Sequence, residues 1–117
     1  STGGERVISR GALAAMNDLL RAVVERGTGR AAQLDRPVGG KTGTSQDYRD
    51  AWFVGFTAEL VAGVWFGNDD GSPMNNVTGG TLPAQLWHQF MSDAEKSTAK
   101  AAPPQRSRSF WDFLFGR

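Results

Sequence analysis

The sequence predicts an α+β fold: an antiparallel sheet of about three strands flanked by an N-terminal and a C-terminal helix. Three observations carry this. Apolar residues recur at three- and four-residue steps over Ser9 to Arg26 and again over Pro83 to Ala94. Between them lie three short runs rich in β-branched and aromatic residues. The links between those runs are too short for crossover helices, so neighbouring strands run antiparallel.

The first helix carries Ala12, Leu13, Met16, Leu19, Leu20, Val23 and Val24 on its apolar stripe, with Ser9 as N-cap and Gly27 as C-cap glycine. The stretch "GTGRAAQLDRP" follows as a loop. Val38 to Ser45, "VGGKTGTS", reads as a strand whose glycines mark close backbone approach. "QDYRD" connects it to a strand over Ala51 to Thr57, and the short "TAEL" makes a hairpin to a third strand, Leu60 to Phe66. "GNDDGSPMNNVTGG" is a turn-rich loop. The second helix has Pro83 in its first turn and Leu86, Trp87, Phe90 and Met91 as its stripe. Residues 93–109 read as a linker low in apolar residues, and residues 110–117 as an aromatic C-terminal peptide.

The chain has 117 residues, enough for one modest core. Thirteen basic and 12 acidic residues leave a net charge of +1, so bulk charge gives no reason to expect a nucleic-acid partner. There are no cysteines, which removes disulfides and thiolate metal sites. No apolar run approaches the roughly 18 residues that span a bilayer. The start at Ser1, without a leader-like charged and apolar region, predicts a cut inside a longer protein or a processed end.

"GGKT" ends like a phosphate-binding loop, but the position of the leading glycine holds Asp35, and a β run follows Thr42 instead of a helix. "GTGRAA" follows a helix, where a dinucleotide-binding glycine pattern needs a strand, so it reads as a helix end and turn. His88 is the only histidine, with no ligand cluster around it, so no metal or other cofactor is expected.

"GGKTGTSQDYRDAWFVG" resembles the last part of the transpeptidase domain of class A, bifunctional penicillin-binding proteins. Lys41-Thr42-Gly43 matches the third signature of serine acyl-enzymes that act on β-lactams. The extension to Thr44 and the stretch from Asp50 to Gly55 sharpen the match, as do "VVERGTGRAA", "VAGVWFGND" and the segment from Gly79-Gly80 to Trp87. Residues 1–92 then form the C-terminal portion of that domain, a partial penicillin-binding or serine β-lactamase-like fold. The resemblance implies a peptidoglycan D,D-transpeptidase that crosslinks stem peptides ending in D-Ala-D-Ala and is the target of β-lactams. It also implies a glycosyltransferase domain in the parent and a place on the extracytoplasmic side of the bacterial inner membrane, anchored by a segment absent from this sequence.

On that resemblance Lys41 supplies positive potential and orients the serine of the second signature. Thr42 and Thr44 donate to the substrate carboxylate, and the backbone N–H of Thr44 forms half of an oxyanion hole. Gly43 leaves room for the substrate backbone, and Thr28 lies near the cleft wall. The three side chains at 41, 42 and 44 are expected to line one shelf. Without the resemblance, Lys41 reads as a solvated strand-end lysine. Asp50 is expected to cap a turn and Trp52 to pack the sheet.

The other two signatures are missing. Only Ser97-Thr98-Ala99-Lys100 has the Ser-x-x-Lys spacing of the nucleophile, and it follows the Lys-Thr-Gly strand where the family places it before. No serine has an asparagine two positions on. This chain alone is therefore expected to be inactive and to self-associate through apolar surface that the missing part would cover. The tail from Phe110 to Phe115, preceded by Arg106 and Arg108, suggests a membrane or protein contact. A non-catalytic binding or assembly module built on the same sheet is the alternative.

Overall fold

The structure, a computed structural model, describes residues 3–101. The chain runs through helix α1 (Arg10–Arg26), strands β1 (Gly39–Thr44), β2 (Asp50–Phe56) and β3 (Val61–Gly67), and helix α2 (Leu82–Ala101). The expected order of helix, three strands and helix is what forms. The sheet is antiparallel throughout, in the order β1-β2-β3, so β1 lies at an edge. A short 3-10 turn, Arg30–Ala32, and a tight turn over Gln46–Tyr48 sit in segments that the sequence presents as loops.

α1 starts where its cap dictates: Ser9 is extended, and its hydroxyl accepts from the Ala12 N–H at 3.1 Å. At the other end the N–H of Gly27 donates to the Val23 carbonyl at 3.1 Å. Gly27 is not left-handed, with φ −107°; a Cβ there would instead stand 2.9 Å from Val23 Cα. The glycine thus gives room for the chain to leave the helix, a different use from the left-handed cap.

Both helices pack on one face of the sheet. Phe53 from β2 meets Trp87 from α2 edge-on at 5.3 Å, and Val24, Ala32, Val38, Ala84 and Met91 complete the core. Trp87 fits because the sheet beneath it is nearly bare. Gly40, Gly55 and Ala62 lie in register across the three strands, and a Cβ on Gly55 would stand 2.9 Å from the indole ring. The indole N–H then donates to the Ala62 carbonyl at 3.0 Å, so the buried ring leaves no polar group unmet.

The apolar stripe of α2 differs from the expected one. Pro83, Ala84, Trp87, Met91 and Glu95 face the core, whereas Leu86 and Phe90 are about half exposed. Met16 and Leu19 of α1 are likewise exposed, and Asn17 is buried in their place. α2 also runs to Ala101, so the first nine residues of the expected linker are helical. Its extension is anchored by buried Glu95, which accepts from the Thr57 hydroxyl and from Arg36 Nη1. The rest of the linker and the aromatic tail lie outside the described residues.

The opposite face of the sheet carries Trp52, Val54, Val61 and Trp65, all 45–74% exposed. Trp52 packs there against Trp65, centroids 6.5 Å apart, and not in the core.

Candidate functional site

The glycines, lysine and threonines of "GGKTGT" divide along β1 by simple alternation. Gly40, Thr42 and Thr44 pair with Gly55, Phe53 and Ala51 and lean toward the helices. Lys41 and Gly43 pair with Val54 and Trp52 and lean to the open face. The expected single shelf is therefore corrected: Lys41 stands on one face and the two threonines on the other. What they share is the edge of the sheet, since β1 is unpaired on its outer side among the described residues. The Lys41 ammonium donates to the Thr42 carbonyl at 2.9 Å.

Thr28, in the turn after α1, is brought to β1. Its hydroxyl oxygen lies 2.7 Å from that of Thr42, and either can be the donor. The loop before α2 closes the same corner. The N–H of Gly79 donates to the Thr44 hydroxyl oxygen at 3.1 Å. A Cβ on Gly79 would strike the Trp52 carbonyl and stand 2.8 Å from the Gly43 nitrogen; one on Gly80 would strike the Thr28 carbonyl. These two glycines let three segments meet over β1. The sequence marks them only as a turn and as part of the resemblance.

Counting protons shows what this corner can do. The Thr28–Thr42 pair holds two hydroxyl protons and uses one between them. The Thr44 hydroxyl accepts from Gly79 and keeps its own proton. Lys41 has three N–H donors and shows one bond. The edge therefore presents a surplus of donors and a positive charge, the chemistry of an anion site.

The loops on either side are tied together near this corner. Asp50 caps the β1–β2 turn as expected: its N–H donates to the Ser45 hydroxyl at 2.8 Å, and the Trp65 indole N–H donates to its Oδ1 at 3.0 Å. Within that turn Asp47 and Tyr48 are both left-handed, at φ 57° and 55°. For Tyr48 this is a strained backbone. The Met74 N–H donates to its carbonyl at 2.9 Å, and Arg49 bonds the Gly71 carbonyl, which holds the strained turn against the β3–α2 loop.

Ser97, the one serine with nucleophile-like spacing, lies far away. α2 begins beside Gly79 and Ser97 is 15 residues along it, about 22 Å at a helical rise. Its hydroxyl donates back to the Asp93 carbonyl at 3.3 Å. His88 is exposed, and its Nδ1–H donates to the Gln33 carbonyl at 2.6 Å. Among the described residues no group of His, Cys, Asp or Glu side chains could hold a metal ion, and no helix is long and apolar enough to cross a membrane.

Comparison with known proteins decides the family. A profile described as "Penicillin binding protein transpeptidase domain" matches residues 2–92. The chain belongs to the penicillin-binding protein transpeptidase family. Penicillin-binding protein 1A of Aquifex aeolicus is 47% identical over 76 residues, 63% of this chain and 10% of that protein. Penicillin-binding protein 1A of Pseudomonas aeruginosa is 37% identical over 109 residues, 88% of this chain and 13% of that protein. Penicillin-binding protein 4 of Bacillus subtilis is 43% identical over 79 residues, 59% of this chain. The transpeptidase-family chain thus spans about a tenth of the length of the curated relatives it matches. Its fold is a partial transpeptidase fold, and the class A resemblance stands.

The glycines of this transpeptidase-family chain separate packing from room for a ligand. A Cβ on Gly43 would meet only Trp52 Cβ, at an ordinary 3.5 Å, whereas one on Gly79 has no space. Gly43→Ala is expected to change the unfolding free energy by less than about 1 kcal/mol, and Gly79→Ala to lower it by about 1–3 kcal/mol. Urea titrations of the two variants, followed by circular dichroism, check this. Equal losses would mean that Gly43 is also a packing residue.

Proposed function

We propose that this chain is the part of a peptidoglycan D,D-transpeptidase that receives the free carboxylate of a D-Ala-D-Ala stem peptide, and the matching carboxylate of a β-lactam. The observation that carries the reading is the donor surplus on the outer edge of β1. Thr42 and Thr44 donate to the carboxylate. Lys41 supplies positive potential from the other face and orients a serine of the second signature. The Thr44 N–H contributes half of an oxyanion hole, worth about 3 kcal/mol in acyl transfer. Gly43 leaves the open face clear for the substrate backbone, which fits the empty space above it. Thr28 lines the same corner.

The attacking serine belongs to another section of the full-length enzyme, which works on the extracytoplasmic side of the bacterial inner membrane. The Ser97 hydroxyl is turned back onto the Asp93 carbonyl and lies at the far end of α2 from β1, so the chain alone does not acylate. Incubation with fluorescent penicillin tests this. The full-length protein should be labelled at a serine outside this sequence, and the 117-residue chain should stay unlabelled. A penicillin adduct on Ser97 would overturn the reading and favour a self-sufficient chain.

The open face with Trp52, Val54, Val61 and Trp65 is the surface the rest of the domain covers. The isolated chain is expected to self-associate through it. Light scattering should give a mass above 12.6 kDa that rises with concentration, and Trp65→Lys should restore the monomer. A wild-type monomer at high concentration would show that the face is tolerated in water.

A further inference from the structure

Thr28 stands outside the Lys-Thr-Gly strand, yet among the described residues its hydroxyl is the side-chain partner shown for that of Thr42. Three observations make the contact a built one. The oxygens are 2.7 Å apart, a short and well-formed hydroxyl pair. The turn that carries Thr28 is fixed by the Gly29 N–H, which donates to the Val23 carbonyl at 2.9 Å, so the turn is held by the last residues of α1. Gly80 lies against the Thr28 carbonyl so closely that no Cβ would fit. Thr28 is therefore clamped between α1 and the loop before α2, with its hydroxyl aimed at β1.

We propose that Thr28 is a positioning residue that donates its proton to Thr42 and so commits the Thr42 proton to the carboxylate of the bound ligand. The proposal rests on the anion-receiving reading of β1 and adds a donor relay to it. Two protons are available and the pair needs one. With no anion bound, either hydroxyl can donate. A carboxylate beside Thr42 accepts its proton in a charge-assisted bond, and the Thr42 oxygen is then free to accept from Thr28. Each bond polarises the next, so the Thr28→Thr42→carboxylate chain is stronger than Thr42 acting alone. Thr28 itself touches no reacting atom.

The test uses the full-length protein that carries this sequence, with benzylpenicillin and its methyl ester as probes and the binding constant separated from the acylation rate constant. Thr28→Val keeps the shape and removes the hydroxyl; Thr28→Ser keeps the hydroxyl. Thr28→Val should bind the free acid about threefold to tenfold more weakly, with the acylation rate constant little changed. The uncharged ester should be unaffected, Thr28→Ser should behave as wild type, and Thr28→Val should add nothing to Thr42→Val. An unchanged melting temperature of the 117-residue Thr28→Val chain keeps folding out of the comparison. If Thr42→Val weakens acid binding and Thr28→Val does not, or if Thr28→Val weakens acid and ester alike, the relay is wrong and the anion site stands. If Thr42→Val binds the acid as tightly as wild type, the anion site itself falls, and the relay with it.

Discussion

Trp87→Ala lowers the unfolding free energy of this chain by about 3–5 kcal/mol, the range for truncating a fully buried tryptophan. Trp87 is 0% exposed and has the largest volume of the fully buried side chains. Its ring covers the small-residue row Gly40–Gly55–Ala62 and meets Phe53 edge-on. Removing it strips three partners at once: the floor of the sheet, the Phe53 ring, and the Ala62 carbonyl that accepts its indole proton. The glycines cannot relax into the space because they have no side chains to move. Native domains hold only about 5–15 kcal/mol in reserve, so the variant is expected to be largely unfolded at room temperature. Urea titration followed by far-ultraviolet circular dichroism measures the loss. Leu86→Ala, on the outer side of the same helix, should lose less than about 1 kcal/mol. Equal losses at the two positions would show that α2 is held by something other than its Trp87 face.

The contrast between Trp87 and Leu86 shows where the sequence stops being informative. Periodicity places both on one stripe, because they are adjacent and each has apolar neighbours three or four positions on. Which of them points inward depends on the floor opposite, and that floor is made of two glycines and an alanine from three different strands. Alternation within β2 is equally legible, yet it cannot say that one face stays open; Trp52 packs the sheet as expected, on the face that neither helix covers. The end of α2 was hidden for a related reason. Residues 95–101 have little apolar content, and their helix is anchored through Glu95 to Thr57 and Arg36, partners 38 and 59 positions away.

The candidate site was more legible than the packing around it. "KTGT" is a short contiguous motif, and the strand it lies on could be read from the β run that follows. The partners that complete the corner come from distant segments: Thr28 is 14 residues before Thr42, and Gly79 is 35 residues after Thr44. Family resemblance pointed to Thr28, but nothing local in "GTG" indicates a hydroxyl contact. The shared-shelf expectation failed for a simple reason. Consecutive residues of a strand cannot face the same way, so Lys41 and the two threonines part to opposite faces and share only the edge of the sheet.

On the proposed function, that geometry predicts a role for Lys41 separate from the threonines, with a separate signature. Lys41→Met keeps the apolar stem and removes the cation. Penicillin acylation of the full-length protein is expected to fall about 10²–10³-fold, the size of loss seen when one fixed donor leaves an acyl-transfer site. Stability of the isolated chain should change little, because Lys41 is exposed and gives up one bond to the Thr42 carbonyl, worth about 1 kcal/mol at most. On the proposed function the threonines act by direct hydrogen bonds, whereas Lys41 also acts through charge, so the two should respond differently to salt. Wild-type acylation should slow as ionic strength rises toward 1 M, where the screening length shrinks to about 3 Å, and Lys41→Met should show a flatter dependence. Lys41→Arg restores the charge but replaces a compact ammonium with a planar fork, so it should recover only part of the rate. A Lys41→Met enzyme that acylates at the wild-type rate, with the wild-type salt dependence, would reduce Lys41 to a solvated residue at a sheet edge and leave the anion site to hydroxyl groups alone.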